Sequence, residues 1–325
     1  MAVRIVAAME GMEEAIERLK EGKLVAFPTE TVYGLGADAR DADAVARIFT
    51  TKGRPATNPL IVHVADVAAA RDLAGEWTPV ADELAAMYWP GAITLVVRKT
   101  DAIPAVVTAG GGTVALRVPD HPVALEMLRR SGVPVAAPSA NRSEQVSPTT
   151  AQHVADSLGQ YADDLLILDG GACRVGIEST VVDATGGTPR LLRPGMMHIF
   201  HANAGESVPT SGDDTPRSPG QMARHYAPAV PVHVLPAKRL RKDRVAGDGV
   251  IQRVVVGQPA PEPSSNVQWL PPDPDGYAAG LYTALRLLDA AGVSRILVEE
   301  PPRGPRWDAI HDRLRRAATP KTDVQ

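Results

Sequence analysis

A chain of 325 residues is long enough for two domains that each have a hydrophobic core. Its hydrophobic (44%) and charged (22%) fractions are ordinary for a globular protein, and a formal net charge of -4 excludes a general attraction to nucleic acid, so an RNA contact would need a local basic patch. The single cysteine, Cys173, excludes an internal disulfide and a cysteine-built zinc site. Because the sequence has no signal-peptide pattern and no apolar run near the length of a membrane span, we expect a cytoplasmic protein without membrane contact.

The first part of the chain alternates helical and extended apolar patterns. Met12, Ile16 and Leu19 share one face of a predicted helix that Gly22 would end. Two glycines between residues 29 and 38 predict a tight turn, although the chain contains no GxxxxGK[ST] phosphate-binding loop. The other elements predicted before residue 130 are a strand over 24–27, a helix around 45–49, a strand over 60–64, a helix around 80–88, strands over 93–97 and 114–118, and a helix from 122.

A strand, a polar loop and a helix follow each other between residues 133 and 158. The apolar run 133–137 predicts a buried strand, and Ser147 followed by Pro148 predicts the start of a helix. Ser139 and Asn141 lie in the loop between them, where free N–H groups and a helix dipole would attract phosphate or carboxylate. The alternative interpretation is an ordinary connection with capping residues.

Three cationic side chains have sequence contexts that suggest partners. Lys52 and Arg54 flank Gly53 in a loop that Pro55 helps to keep extended; they predict an anion clamp, with a solvated surface turn as the alternative. Arg117 interrupts an apolar strand, so it needs an anionic partner, either a protein carboxylate or a substrate. By contrast, His63 is more typical of a structural histidine, and we interpret Cys173 as an unreactive thiol.

The rest of the chain predicts further strands, a linker and a second domain. Adjacent strands over 165–168, 179–183 and 190–193 favour a mixed sheet over a doubly wound one. Residues 200–219 have linker composition, and strands over 230–235, 250–256 and 296–298 with helices around 281–288 and 310–314 predict a small α/β domain with a parallel sheet. A basic run over 238–244 is typical of a solvated face, with an RNA patch as the alternative.

Several short motifs together resemble the YrdC family, and the tail resembles its long two-domain form. The motifs are Phe27-Pro-Thr-Glu-Thr-Val-Tyr-Gly-Leu-Gly36, Lys52-Gly-Arg-Pro55, Pro138-Ser-Ala-Asn141, Ser147-Pro-Thr149, Glu178-Ser-Thr-Val181, Arg193-Pro-Gly195, Ser218-Pro-Gly220 and His225-Tyr-Ala-Pro228. The resemblance implies an N-terminal α+β domain with a twisted mixed sheet and an open cleft (1–199), a linker or lid (200–228) and a smaller Rossmann-like α/β domain (229–325).

The resemblance also implies a reaction. L-threonine, bicarbonate and ATP would give L-threonylcarbamoyl-AMP and pyrophosphate, and a transferase complex would then pass the threonylcarbamoyl group to tRNAs that read codons beginning with A. We expect Mg²⁺ to arrive with ATP and not in a protein metal site, and tRNA to contact this chain weakly or indirectly. Because every reactant is anionic, catalysis would consist mostly of positioning and charge stabilisation.

The residues carried over from the family fall into three groups. The proposed catalytic group is Lys52, Arg54, Ser139 and Asn141. The proposed ATP contacts are Arg54, Asn58, Thr113, Ser139, Asn141, Ser147, Arg193 and Tyr226. The proposed threonine contacts are Thr31, His63, Arg117 and Ser179.

Two other functions are compatible with parts of the sequence. A non-catalytic module for double-stranded RNA or tRNA would use a concave basic surface, but 4% aromatic residues and a negative net charge offer little for stacking or counterion release. A relative that uses another carbamoyl-adenylate in hydrogenase maturation would carry acylphosphatase and zinc-finger segments, for which this chain has neither the length nor the cysteines.

Overall fold

The structure is a computed structural model that describes residues 3–199, 224–258, 261–262 and 264–320. Most of the predicted linker or lid, including Ser218-Pro219-Gly220, lies outside these residues. The described residues divide into two compact units. The second unit contains the described residues after 223 and two short segments, Ser143–Ser147 and Val175–Ile177, and the first unit contains the rest. The domain boundaries at 199 and 229 stay a prediction.

The first unit contains the following elements in the part of the chain described. Its strands are β1 (Arg4–Ala7), β2 (Val25–Phe27), β3 (Gly34–Asp38), β4 (Ile61–His63), β5 (Ala74–Glu76), β6 (Ile93–Lys99), β7 (Thr113–Arg117), β8 (Val135–Ala136), β9 (Leu166–Asp169), β10 (Thr180–Asp183) and β11 (Arg190–Arg193). Its helices are α1 (Ala8–Lys20), α2 (Ala42–Lys52), α3 (Val67–Leu73), α4 (Pro79–Tyr88), α5 (Pro122–Ser131) and α6 (Ala151–Leu158).

These strands form a mixed sheet in the order β1-β9-β2-β3-β8-β4-β7-β6-β10-β11, with β5 paired to β6. The sheet contains both parallel pairs, such as β4 with β7, and antiparallel pairs, such as β6 with β7. The mixed sheet predicted from the sequence is confirmed. Apolar side chains of α1, including Leu19, and of α2, including Ile48, are buried in the unit's core. Full burial of each such side chain contributes about 1.5–3 kcal/mol to folding.

Short and irregular elements were the ones that the sequence patterns missed. β1, α3 and β5 were not predicted; β1 is largely exposed, so no alternation of apolar and polar residues marks it. The tight turn predicted around the two glycines is wrong, because Gly34 and Gly36 belong to β3. A Cβ on Gly36 would lie 2.8 Å from a ring carbon of Phe27 and 2.7 Å from Val135. Glycine is therefore needed at this position, because a Cβ would clash with side chains of the neighbouring strands.

The predicted start of the helix after residue 141 is also wrong. α6 begins at Ala151, and its N-cap is Thr150, whose hydroxyl accepts a hydrogen bond from the backbone N–H of His153. Ser147 and Pro148 instead precede the helix, outside any helix or strand. Ser139 and Asn141 are therefore not in the turn that enters the helix, so the helix start predicted from the sequence gives no support for an anion at that loop.

The second unit contains a small sheet in which every described pair of strands is parallel, in the order β12-β15-β13-β14. Its elements are β12 (Val232–Leu235), α7 (Ala237–Asp243), β13 (Gly249–Arg253), β14 (Val267–Leu270), α8 (Pro274–Ala290), β15 (Ile296–Glu299), a 3-10 turn (Pro305–Trp307) and α9 (Asp308–Ala317). The predicted parallel sheet is confirmed, although α7 and β14 were not anticipated.

The basic run over 238–244 lies on and just after α7. Lys238, Arg241, Lys242 and Arg244 are exposed, and Arg239 is paired with Asp243 one turn later. Exposed cations of this kind are compatible with both a solvated helix face and an RNA patch, so the two alternatives stay open. Among the described residues, no helix is long and apolar enough to cross a membrane.

Candidate active site

The sheet places three polar side chains of adjacent strands on one face. His63 and Arg117 are register partners at the ends of the parallel strands β4 and β7. The antiparallel register of β6 against β7 brings Thr94 level with Arg117. The hydroxyl of Thr94 lies 2.8 Å from that of Ser179, and both residues are buried. Sequence analysis singled out His63, Arg117 and Ser179 but missed Thr94.

Arg117 has a protein carboxylate as its partner. One Nη of Arg117 lies 2.6 Å from Glu30 Oε1, and the other donates to the Thr31 hydroxyl at 3.0 Å. The guanidinium Nε donates to the carbonyl of Gly91 at 3.3 Å. Side-chain exposure is 4% for Arg117 and 1% for Glu30. Of the two partners left open by the sequence, the carboxylate is therefore present, and Glu30 is a site residue that sequence analysis overlooked.

His63 is a neutral side chain in this cluster. Burial and the positive charge of Arg117 lower the pKa of His63 to about 3, although backbone contacts oppose the shift. The ring meets Phe27 edge-on, with 6.0 Å between ring centroids. His63 therefore adds no positive charge beside Arg117 at physiological pH.

Arg193 joins the cluster through Ser179. Its guanidinium donates to the Ser179 carbonyl at 2.9 Å and to the Ser179 hydroxyl at 3.1 Å, and Arg193 is buried. A residue carried over as an ATP contact thus touches one carried over as a threonine contact. This adjacency is what a reaction between the two substrates requires.

Lys52 ends α2 and points into the protein. Its ammonium donates to the carbonyl of Ser139 at 2.6 Å and to that of Asn141. Lys52 is 1% exposed and Arg54 is 8% exposed, so the alternative of a solvated turn is wrong. Burial and the charges of Arg54 and Arg142 lower the pKa of Lys52 well below its ordinary value.

The loop after Lys52 is held by Arg54. Its guanidinium donates to the carbonyls of Asn58 at 3.1 Å and Pro59 at 2.8 Å, so the arginine fixes the chain that leads into β4. Across the sheet, Ser139 bridges Gly34, continuing the ladder of β3 with β8. Lys52 thus contacts Ser139 and Asn141, Arg54 contacts Asn58, and Arg54 lies close enough for its charge to lower the pKa of Lys52.

Arg142 adds a third cation that sequence analysis did not consider. Its guanidinium stacks over the Tyr161 ring at 4.1 Å and donates to the carbonyl of Thr51 at 2.9 Å. Gly53, with φ of 59°, leaves the space that Arg142 occupies: a Cβ there would lie 2.5 Å from the guanidinium. Like charges gathered at buried positions favour the binding of an anion.

Gly53→Ala is expected to destabilise the protein by about 1–2 kcal/mol through its left-handed backbone alone. Displacement of Arg142 from Tyr161 should add about 0.5–1 kcal/mol. Gly132→Ala is the matched control, because Gly132 also ends a helix with φ of 64° but has nothing within 4 Å of its added Cβ. Urea denaturation of both variants measures the difference, and equal losses of stability would contradict the crowding of Arg142.

The other predicted residues are not among these contacts. Thr113 begins β7, is half-buried and is the register partner of Arg98. Ser147 and Tyr226 belong to the second unit. There the carbonyl of Ser147 accepts from Arg286 at 3.4 Å, and the Tyr226 ring stacks on Tyr282 with centroids 5.9 Å apart.

Two further features limit the chemistry of the first unit. Cys173 is buried, and this burial raises the pKa of its thiol, as expected of an unreactive cysteine. Within the described ranges, no three or more His, Cys, Asp or Glu side chains are grouped so that they could hold a metal ion. The site is instead built from cations, hydroxyls, backbone carbonyls and one buried carboxylate.

A mixed sheet with a cation-rich polar site, together with a small parallel sheet, defines a two-unit α/β protein that is suited to anionic ligands. Family models match residues 17–195, described as "Telomere recombination", and residues 190–319, described as "Threonylcarbamoyl-AMP synthase, C-terminal domain". The chain belongs to the two-domain threonylcarbamoyl-AMP synthase family, and it is an enzyme of that family.

Full-length relatives support this membership. The chain is 42% identical to the threonylcarbamoyl-AMP synthase of Pyrococcus abyssi, over 92% of each chain. It is 41% identical to the Bacillus subtilis enzyme, over 94% of this chain and 92% of the other. The crystal structure of P. abyssi Sua5 complexed with L-threonine is similar over 98% of both chains, with a TM-score of 0.84 and 39% identity. The family resemblance and the two-part α/β fold inferred from sequence motifs are thereby confirmed.

Proposed function

We propose that this protein joins L-threonine, bicarbonate and ATP to form L-threonylcarbamoyl-AMP and pyrophosphate. The observation that carries the proposal is the full-length similarity to a relative whose structure is described in complex with L-threonine. The polar cluster around Arg117 supplies the charge that an amino acid requires, and the Lys52 cluster supplies the charge that a triphosphate requires. Arg193, a proposed ATP contact, donates to Ser179, a proposed threonine contact.

The proposed threonine contacts are Thr31, His63, Arg117 and Ser179. The proposed ATP contacts are Lys52, Arg54, Asn58, Thr113, Ser139, Asn141, Ser147, Arg193 and Tyr226. In this assignment Lys52 and Arg54, with Ser139 and Asn141, stabilise the phosphates during displacement, and this is the sense in which they are catalytic.

The chemistry needs two bond-forming steps. The amine of threonine adds to bicarbonate with loss of water and gives a carbamate. A carbamate oxygen then attacks the α-phosphorus of ATP, and pyrophosphate leaves with the electrons of the broken P–O bond. Neither step requires a covalent bond to the protein. Side chains of the site therefore act by holding anionic groups in line and by stabilising the charge that develops on the phosphates.

In this proposal Mg²⁺ arrives as an ion carried by the nucleotide. Mg²⁺ is usually held by one or two carboxylates together with water and phosphate oxygens. Because the described residues group no set of acidic or histidine ligands into a cage, phosphate oxygens and water would supply most of its ligands. When bound, the ion would neutralise phosphate charge; no step proposed for the side chains depends on it.

The wider assignment is also a proposal. Residues 1–199 would carry catalysis and residues 229–325 would form a C-terminal domain, with the connection over 200–228 between them. The product would supply a threonylcarbamoyl transferase complex that modifies tRNA in the cytoplasm. Direct contact of this chain with tRNA would be weak, because a formal net charge of -4 gives no general attraction to nucleic acid.

Pyrophosphate release by the purified full-length protein tests the proposal. Reactions with ATP, Mg²⁺ and bicarbonate are compared with L-threonine, L-serine, L-alanine or no amino acid, and the product is identified by mass spectrometry. We expect release that depends on threonine and bicarbonate, with a threonylcarbamoyl-adenylate as product. Absence of release in every reaction, together with tRNA binding that weakens steeply with salt, would favour the RNA-binding alternative instead.

A further inference from the structure

Glu30 has one carboxylate oxygen without a hydrogen-bond partner in the part of the chain that the structure describes. Oε1 accepts from Arg117 at 2.6 Å, whereas Oε2 is buried and has no hydrogen-bond partner among the described residues. A buried carboxylate oxygen that lacks a donor is costly, and native proteins seldom retain one without a role. This oxygen therefore marks a place where a ligand's donor group would be stabilised.

The other titratable side chains near Glu30 are not cations, so none of them is a charged donor for Oε2. Burial lowers the pKa of His121 and lowers that of His63 to about 3, so both imidazoles are neutral at physiological pH. Burial raises the pKa of the Cys173 thiol, which stays protonated and uncharged. Arg117 is the one positive charge that the described structure pairs with Glu30.

The hydrogen bonds of Arg117 within the described structure do not use all of its N–H donors. It makes three hydrogen bonds within the described structure, to Gly91, Thr31 and Glu30. A guanidinium has five N–H donors in a rigid fork. Two donors consequently remain for an acceptor, and they belong to the same side chain that contacts Glu30.

We propose that Glu30 and Arg117 together bind both charged groups of an α-amino acid. Oε2 of Glu30 accepts a hydrogen bond from the α-ammonium of L-threonine, while the remaining donors of Arg117 bind its α-carboxylate. In the substrate, one carbon separates the α-ammonium from the α-carboxylate. The Glu30 carboxylate and the Arg117 guanidinium are also adjacent, and each has a charge opposite to that of the substrate group it would bind. This inference rests on the proposed function and adds Glu30 to the substrate-binding residues of that site.

The pairing explains how the site would select its substrate. A carboxylic acid without an α-substituent would leave Oε2 without a donor, and an amino acid amide would leave the Arg117 donors without an anion. Either loss leaves a buried charged group unsatisfied, which is a strong basis for discrimination. The contact would also fix the nitrogen that must later carry the carbamate.

Calorimetric binding of three ligands to wild type and Glu30→Gln tests the pairing. The ligands are L-threonine, (R)-3-hydroxybutanoate, which lacks the ammonium, and L-threoninamide, which lacks the carboxylate. We expect wild type to bind L-threonine about 10- to 100-fold more tightly than the des-amino compound, as for a hydrogen bond to a charged group. In Glu30→Gln, whose amide N–H₂ would face the ammonium, this ratio should fall toward one. The ratio between threonine and its amide should change much less.

Asp183→Asn is the matched control. Asp183 is a buried carboxylate paired with Arg190 at 2.8 Å on β10 and is outside the proposed contacts, so all three affinities should match wild type. Glu30→Asp retains the charge and should preserve part of the preference for the ammonium.

An unchanged ammonium preference in Glu30→Gln, with normal L-threonine binding, would overturn this inference and leave the proposed function intact. If wild type bound L-threonine and the des-amino compound equally, the inference would also fail, whatever the folding of the variants. Absence of L-threonine binding to wild type would overturn the inference and the proposed function together.

Discussion

Arg117→Met should remove threonine-dependent pyrophosphate release and lower the free energy of unfolding by about 3–5 kcal/mol. The reason is that Glu30, 1% exposed and paired with Arg117, would be left as a buried charge without its partner. Methionine keeps much of the side-chain volume, so the loss reports on charge rather than on a cavity. Urea denaturation measures the stability, and the release assay measures the activity.

The double variant Arg117→Met/Glu30→Gln separates stability from function. With both charges gone, we expect it to recover at least half of the lost stability, because replacing both members of a buried ion pair is far less costly than removing one. Activity should stay absent, since the guanidinium assigned to the threonine carboxylate is still missing. If Arg117→Met kept wild-type stability, Glu30 would have access to water or to another partner, and the buried-pair interpretation would be wrong.

Strong local patterns were sufficient to predict much of the fold. The apolar face of α1 and the helix that ends at Gly53 are set by residues close together in the chain, and both appear in the structure. The start of α6 could not be predicted from the local sequence in the same way. Several residues before it resemble caps, and long-range hydrogen bonds select among them: Tyr33 N–H donates to the Pro148 carbonyl and Cys173 N–H donates to the Thr149 carbonyl. These bonds hold residues 148 and 149 outside the helix, so Thr150 becomes the cap.

Site residues that belong to a recognisable sequence motif were predictable. Residues whose role depends on a partner distant in sequence were missed. The need of Arg117 for an anion follows from its position in an apolar strand, but its partner lies 87 residues away in sequence. Arg142 is also distant from Lys52 in sequence, and only the folded chain brings their charges close enough to affect the Lys52 pKa. The assignments of Lys52 and Arg117 to particular substrates stay predictions.

Lys52→Met should lower the kcat/KM of pyrophosphate release by about 100-fold or more, the usual effect of removing one preorganised charge from a transition-state site. Lys52 is the most buried of the three cations in its cluster, and its ammonium contacts the carbonyls of Ser139 and Asn141. Methionine fills similar space without the charge. Lys242→Met, on the exposed face of α7, controls for loss of a lysine elsewhere, and it should leave activity unchanged.

The lowered pKa of Lys52 gives this prediction a second measurement. In the pH range between the depressed pKa and the ordinary value, the unfolded chain binds more protons at Lys52 than the folded protein, so stability rises with pH there. An anion beside Lys52 would raise its pKa again, so binding of pyrophosphate in that range should take up a proton. Calorimetry in buffers of different ionisation enthalpy should detect this uptake in wild type and in Lys242→Met but not in Lys52→Met. The same buffer dependence in Lys52→Met, or normal activity of that variant, would remove Lys52 from the phosphate site.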